Sequence, residues 1–546
     1  MASTEPMNAK KIFIDRRRFI GLLGAIAVAP LSHSLFGRAW ASPAQELGPP
    51  QSFDFDWLKA KAQTLAGKPF AEPPVRSALL QSIDYDTFQK IRFRPEMNLL
   101  ADGTSSYPIQ LFHLGRYVQR PVNIYLVQDG TAREVIYSPS YFDFGGTGLG
   151  KKLPSDLGFA GFRLMGPNKG DNDWLVFLGA SYFRSAGELQ QYGLSARGIA
   201  VDTAVPGPEE FPRFTRFWLQ PTGKKKDVVT VYALLEGNSL TGAYRFDCRR
   251  ETGVIMDAEA VLFVRRNVER LGIAPLTSMF WFGENNRYLA TDWRPEIHDS
   301  DGLAIWTGPG ERIWRPLNNP NVPRTSAFAD ENPKGFGLLQ RDRNFADYQD
   351  DGVFYDRRPS VWIEPLEPWG KGSVQLVELP TDDEIHDNIV AFWVPAEPVK
   401  AGARLSYRYR LHWLADEPYP MKQLARTIST RIGRGGIPGQ PRPAGSRKFV
   451  IDFAGGPLET LKKQDKVVAE VTQSRGKISN VYALQVVGTK VWRAFFDLQA
   501  EGVDPLDLRC FLRLGDRTLT ETWLYQYLPF RYSGDAPDKL AKISAP

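Results

Sequence analysis

Apolar and polar residues alternate with period two along most of the chain. "VNIYLVQDGTAREVIYS" (122–138), "VVTVYALLEGNSLTGAYRFDC" (228–248) and "GVIMDAEAVLFVRR" (253–266) each send alternate side chains to opposite faces. The runs stop at Gly, Pro, Asn or Asp, and Asp129-Gly130 marks the tight turn of a hairpin. The same pattern fills the C-terminal end: "KVVAEVTQ" (466–473), "VYALQVVG" (481–488), "VWRAFFDLQ" (491–499) and "LRCFLRLGDRTLTETWLYQYLP" (508–529). Helical period is confined to three stretches, Phe55 to Leu65, Val75 to Phe88 and Met421 to Ile432. The pattern predicts an all-β protein of large sandwich type.

A chain of 546 residues exceeds one compact core, so two or more domains are expected. The best boundary follows "YRYRLHWLADEPYP" (407–420). There the predicted helix from Met421 runs into "GRGGIPGQPRPAGSR" (433–447), which holds five Gly, three Pro and three Arg and has little with which to build a core. The expected layout is a leader over 1–41, a first sandwich over 42–418, a helix and loop over 419–447, and an immunoglobulin-sized sandwich over 448–546.

The leader changes the charge argument. "KKIFIDRRRFIGLLGAIAVAPLSHSLFGRAWAS" sets basic residues before an apolar run and ends at the processing site Ala39-Trp40-Ala41. Arg16-Arg17 followed by Phe19-Ile20 fits the twin-arginine pattern, so export of a folded protein to the periplasm is expected. The apolar run is short for a membrane span and carries Gly21, Gly24, Pro30 and His33, so no stable membrane anchor is expected. The whole chain has 68 basic and 62 acidic residues. Six of the basic and two of the acidic lie within 1–41, so the remainder is close to neutral. Nucleic-acid binding thereby loses its compositional support.

Two cysteines, Cys248 and Cys510, exclude a disulfide framework and read as small buried hydrophobes. "GGTGLGKK" (145–152) has Lys152 where a phosphate-binding loop needs Ser or Thr, and it lacks the strand-to-helix setting. The chain has five histidines, one of them in the leader; the others, His113, His298, His386 and His412, are too dispersed to argue for a metal, and no cofactor is expected.

Carboxylates and aromatics do concentrate. "FWFGENNRYLATDWRPEIHDSDGLAIWTGPGERIWRPL" (280–317) brings Trp281, Trp293, Trp306 and Trp314 together with Glu284, Asp292, Asp299, Asp301 and Glu311. Flat ring faces beside carboxylates, amides and guanidinium groups suit a sugar-binding groove. The triplet Ile-His-Asp occurs there (297–299) and again in "DEIHDNIVAFW" (383–393), directly before a buried strand. Glycoside hydrolysis needs one carboxyl held neutral and another ionised. Asp387, the last acid before the strand, is placed for desolvation to favour its neutral form, although by residue chemistry alone Asp383 or Glu384 would serve nearly as well.

"PLTSMFWFGEN" (275–285), "WRPEIHDSDGLAIWTGPGERIWRPLNNP" (293–320), "GFGLLQRDRNFADYQDD" (335–351), "YDRRPSVWIEP" (355–365) and "VELPTDDEIHDNIVAFWVP" (377–395) resemble the periplasmic glucans biosynthesis proteins G and D, glycoside hydrolase family 186. The twin-arginine leader favours the D branch. The resemblance implies a galactose-mutarotase-like β-sandwich followed by an immunoglobulin-like one, and action on the β-1,2-glucan backbone of osmoregulated periplasmic glucans. Anomer-inverting β-1,2-glucanase activity is implied, with transglycosylation in some relatives. By motif, Asp387 corresponds to the general acid and Asp299 to the base, with Asp301 as the alternative base two residues on. Tyr355, Trp306, Arg294, His298, His386 and Asp301 are implied substrate contacts. A homodimer is also implied, in which the 433–447 loop reaches a partner's groove.

Overall fold

The computed structural model describes residues 46–530 apart from 76, 102, 103, 169, 224 and 225; the predicted leader therefore lies outside the described residues. Strands dominate, as the period-two pattern predicts. The helix Phe55–Ala66 forms, with the Asp54 carboxylate accepting from the Trp57 amide at 2.7 Å and Leu58 and Ala62 buried.

The other two helical expectations fail, for different reasons. Between 75 and 88 the chain makes a 3₁₀ turn, Ala78–Ser82, and a single α turn, Tyr85–Gln89. The side chains of Ser77 and Asp84 each cap a fresh N-terminus, which restarts the backbone in mid-pattern. From 421 to 432 there is no helix: Arg426–Arg434 is a strand paired antiparallel with Ser446–Ala454. Met421, Leu424, Ala425, Ile428 and Ile432 carry helical spacing, but Ile428 points to solvent. The β-branched Thr427, Thr430 and Ile432 favour the pleated surface they occupy.

A 16-stranded and a 10-stranded sheet form the large sandwich. One core draws on both: Phe177 of the smaller sheet packs on Phe217 and Phe246 of the larger, each at 5.6 Å between ring centroids. Burying each such ring contributes about 1.5–3 kcal/mol relative to leaving it exposed. The larger sheet does not stop at the first sandwich. Arg312–Pro316 pairs in parallel with Thr522–Tyr527, which passes the sheet on to Leu506–Leu514 and Val468–Gln473.

The second layer there is a four-stranded sheet of Arg426–Arg434, Ser446–Ala454, Trp492–Gln499 and Lys477–Gln485. The core of this smaller sandwich stacks Phe449 on Phe496 at 4.9 Å, and takes in Ala304, Trp314, Leu339 and Trp362 from the large one. The two sandwiches thus share a wall. A polar rivet crosses it: Arg341 donates to Glu521 at 2.6 Å and to the Thr427 carbonyl at 3.1 Å, and Glu521 accepts from the Thr427 amide at 2.7 Å. The Gly/Pro/Arg segment forms the connection between Arg426–Arg434 and Ser446–Ala454, where Gly436, Gly439 and Gly445 take positive φ and Arg442 donates to the carbonyls of Arg434 and Gly435. Cys248 and Cys510 are free and buried, one in each core.

Candidate active site

Two Ile-His-Asp triplets converge on one residue. The strand Ile389–Pro395 lies inside the 10-stranded sheet, and just before it Asn388 is buried. Its amide donates to the carbonyls of Phe280 and Leu379, both at 2.9 Å, and its Oδ1 accepts from the Phe280 amide at 2.8 Å. The short strand Phe280–Phe282 pairs with Ile297–His298, with Phe280 opposite His298. The Asp299 amide continues the contact by donating to the Met279 carbonyl at 2.8 Å. Asp387 and Asp299, 88 residues apart in sequence, therefore each adjoin a residue in contact with Phe280: Asn388 by hydrogen bonds, His298 by strand pairing and ring stacking.

Their surroundings differ. Asp299 has no exposed surface and is ion-paired to Arg358, itself buried. Arg358 also lies 4.1 Å from the centroid of Tyr355. The Tyr355 hydroxyl donates to Glu384 Oε2, which also accepts from Arg294 at 3.1 Å. Arg294 binds Asp350 at 2.6 Å and Asp292 at 2.9 and 3.1 Å, so that a chain of contacts runs from Asp299 through Arg358, the Tyr355 ring and hydroxyl, and Glu384 to Arg294. The loop that presents Tyr355 is built for the purpose. Asp350 caps the amides of Gly352 and Val353 at 2.9 and 2.8 Å, and Phe354 is held at φ +49°, a region a bulky residue rarely enters. Gln340 then ties the Tyr355 and His298 carbonyls together, at 3.1 Å each.

Asp387 retains 14% side-chain exposure, and the buried Arg184 lies 3.8 Å from it. His386 beside it is half-buried. The same segment leads to open space: Pro380, Thr381 and Asp382 line a cleft of about 800 Å³ together with Asn319, Arg324 and the stacked pair Tyr288–Phe530. Among the described residues no group of His, Cys, Asp and Glu is arranged to hold a metal, and no helix is long and apolar enough to cross a membrane.

The profile of the periplasmic glucan biosynthesis protein MdoG matches residues 53–527. The chain belongs to this family. It is 53% identical to glucans biosynthesis protein D 2 of Ralstonia nicotianae, over 93% of this chain and 96% of that protein. It is 50% identical to glucans biosynthesis protein D of Xanthomonas campestris pv. campestris, covering 94% and 98%. A probable glucans biosynthesis protein D of Shewanella oneidensis is 48% identical, covering 94% and 95%.

In this member of the periplasmic glucan biosynthesis family the four clustered tryptophans do not form one groove. Trp314 is a core residue with the Arg341 guanidinium 3.8 Å from its ring centroid, and Trp293 is largely exposed beside Arg294. Trp306 is at the other end of its strand, Gly302–Trp306, from Asp299, and so stands apart from the aspartates. Arg294 is brought to them through Glu384, whereas Asp301 spends both carboxylate oxygens on the amides of Arg341 and Asp342, at 2.8–2.9 Å.

His298 is a buried scaffold residue. Its Nδ1 donates to Gln340 at 3.0 Å, since the Gln340 amide is committed to two carbonyls, and its Nε2 donates to Glu296 at 3.0 Å. Burial opposes its charge, but the hydrogen bond and charge of Glu296, with Asp301 and Asp342 nearby, push its pKa up to about 9. Around it burial raises Glu284 to about 8, and burial with the charges of Asp301 and Glu296 raises Asp342 to about 7.

Sequence reasoning missed Asn388, Gln340, Arg184 and the pairing role of Arg358. Arg358 was in sight, three residues after Tyr355 in "YDRRPS". Arg184 carries no signal, because it arrives from a strand some two hundred residues away in the chain.

Proposed function

We propose that this protein acts in the periplasm on the β-1,2-glucan backbone of osmoregulated periplasmic glucans, as an anomer-inverting endo-β-1,2-glucanase. The observation that carries the reading is the convergence of Asp387 and Asp299 on Phe280, one acid partly open and the other enclosed with Arg358. Asp387 is cast as the general acid that gives its proton to the leaving glycosidic oxygen. Asp299, ionised against Arg358, is cast as the base that finally receives the proton of the attacking water. Because Asp299 is enclosed, that proton reaches it through hydroxyl groups of the substrate or ordered water. Tyr355, hydrogen-bonded to Glu384 and packed on Arg358, orders this region, and the cleft at Thr381–Asp382 offers room for several glucosyl units. A non-catalytic glucan holder has no use for an acid pair locked in this way.

The reading includes a twin-arginine export route and a homodimer in which the 433–447 loop approaches a partner's groove. Replacing Arg16 and Arg17 with lysine should leave the precursor in the cytoplasm, and normal export of that variant sinks the route. The activity is tested by incubating the pure protein with linear β-1,2-glucan and following products by size and anomer. Shorter linear chains released with inverted configuration support the glucanase. Cyclic or branched products redirect the same acid chemistry to transglycosylation, and an unchanged polymer rejects both.

A further inference from the structure

The far end of the Asp299 strand carries its own aromatic cavity. From Gly302 to Trp306 the strand advances about 13 Å at roughly 3.3 Å per residue, and Asp299 lies further back still. There Trp306 is partly exposed and braced from within: the Arg312 guanidinium sits 3.8 Å from its ring centroid, and Lys334 Nζ lies 5.3 Å away. Tyr419, 37% exposed, approaches Trp306 at 6.2 Å. Tyr419 is also fixed. Its hydroxyl donates to Glu364 Oε2 at 2.9 Å, the oxygen that meets His412 Nε2 at 2.9 Å, and its carbonyl accepts from Arg312 at 2.7 Å. The two rings border an open cavity of about 490 Å³ whose wall also holds Asn332, Lys334, Glu364 and Glu367.

Two immobilised rings that both reach solvent, bordered by amide, ammonium and carboxylate groups, have the chemistry that takes a pyranose ring: its C–H face on the aromatic, its hydroxyls on the polar rim. The two carboxylates of this wall are engaged by the protein: Glu364 by His412 and Tyr419, and Glu367 by the Arg408 amide at 2.9 Å. We infer that the Trp306–Tyr419 cavity is a second glucan-binding platform, separate from the acid pair, which holds a remote stretch of the polymer without reacting with it. This rests on the proposed glucan substrate.

Electrophoresis through native gels containing linear β-1,2-glucan tests it, comparing wild type with Tyr419→Ala and Trp306→Leu and checking each variant's thermal midpoint. Wild type should be retarded by the glucan. Each variant should need roughly 3- to 10-fold more glucan for the same retardation, the loss of one stacked ring. Tyr419 is the more exposed, so Tyr419→Ala serves if Trp306→Leu disturbs Arg312. Variants retarded as strongly as wild type overturn the platform while leaving the glucanase reading intact. A wild type that is neither retarded by the glucan nor able to change it overturns that reading as well.

Discussion

The same three residues, Ile-His-Asp, stand at 297–299 and at 385–387, and the fold gives them opposite settings. In the first, His298 uses both ring nitrogens on Glu296 and Gln340, and Asp299 is sealed against Arg358. In the second, His386 is half-buried, and Asp387 keeps an open edge with Arg184 at 3.8 Å. A carboxylate with no exposed surface, fixed to a buried cation, is a poor proton donor and a well-held acceptor. One that keeps an exposed edge can meet a group arriving from outside. The residue type sets what a site can do, and the partner and the burial decide which of two identical acids does it.

The largest expected effect comes from breaking the sealed half. Arg358→Met leaves Asp299 enclosed without its cation and should cost about 3–5 kcal/mol of stability in denaturant unfolding. Arg184→Met should cost clearly less, because Asp387 retains contact with solvent. Equal losses would erase the distinction between the two triplets.

The next effect reads the charge cluster behind His298. Its pKa is raised to about 9, so its contribution favours the fold fully below its ordinary value of 6.5 and is lost as pH rises through about 9. Glu284, raised to about 8, and Asp342, raised to about 7, act with the same sign: each favours the fold at low pH and loses that contribution as pH climbs through its raised value. The thermal midpoint should therefore fall from pH 5 to pH 9, and Glu284→Gln should flatten the slope up to about pH 8. A slope that Glu284→Gln leaves unchanged removes that group from the account.

The smallest effect belongs to the glycine-rich connection. Deleting residues 436–443 should change stability by less than roughly 0.5 kcal/mol, since the segment adds little to either core. Turnover should nevertheless fall if the connection completes a partner's groove. Full activity in the deletion makes it a plain connector.

The strands were legible because a half-buried strand must alternate, and the helix Phe55–Ala66 because its apolar residues recur at helical spacing, with Leu58 and Ala62 buried. The segment 421–432 misled because apolar spacing and β-branching pointed different ways, and strand pairing with Ser446–Ala454 decided. The acids were legible as a pair of repeats, but which partner each would meet was not. Arg358 and Arg184 reach them through tertiary contacts, and Asn388 ties its segment to Phe280, none of which a local pattern encodes. The tryptophan cluster scattered because its members belong to different elements: Trp281 to Phe280–Phe282, Trp306 to Gly302–Trp306, Trp314 to Arg312–Pro316, and Trp293 to no strand.

The central claim is that Asp387 donates the proton, and Asp387→Asn tests it most directly. The substitution keeps size and hydrogen-bonding groups but removes the transferable proton, so turnover of linear β-1,2-glucan should fall by roughly 10²–10⁴-fold while glucan binding persists. Asp383→Asn, four residues earlier on the same segment and tied by its backbone to Thr381, should cost far less. If Asp387→Asn turns over glucan at near the wild-type rate, or if Asp383→Asn is the variant that loses it, the assignment of the acid is wrong.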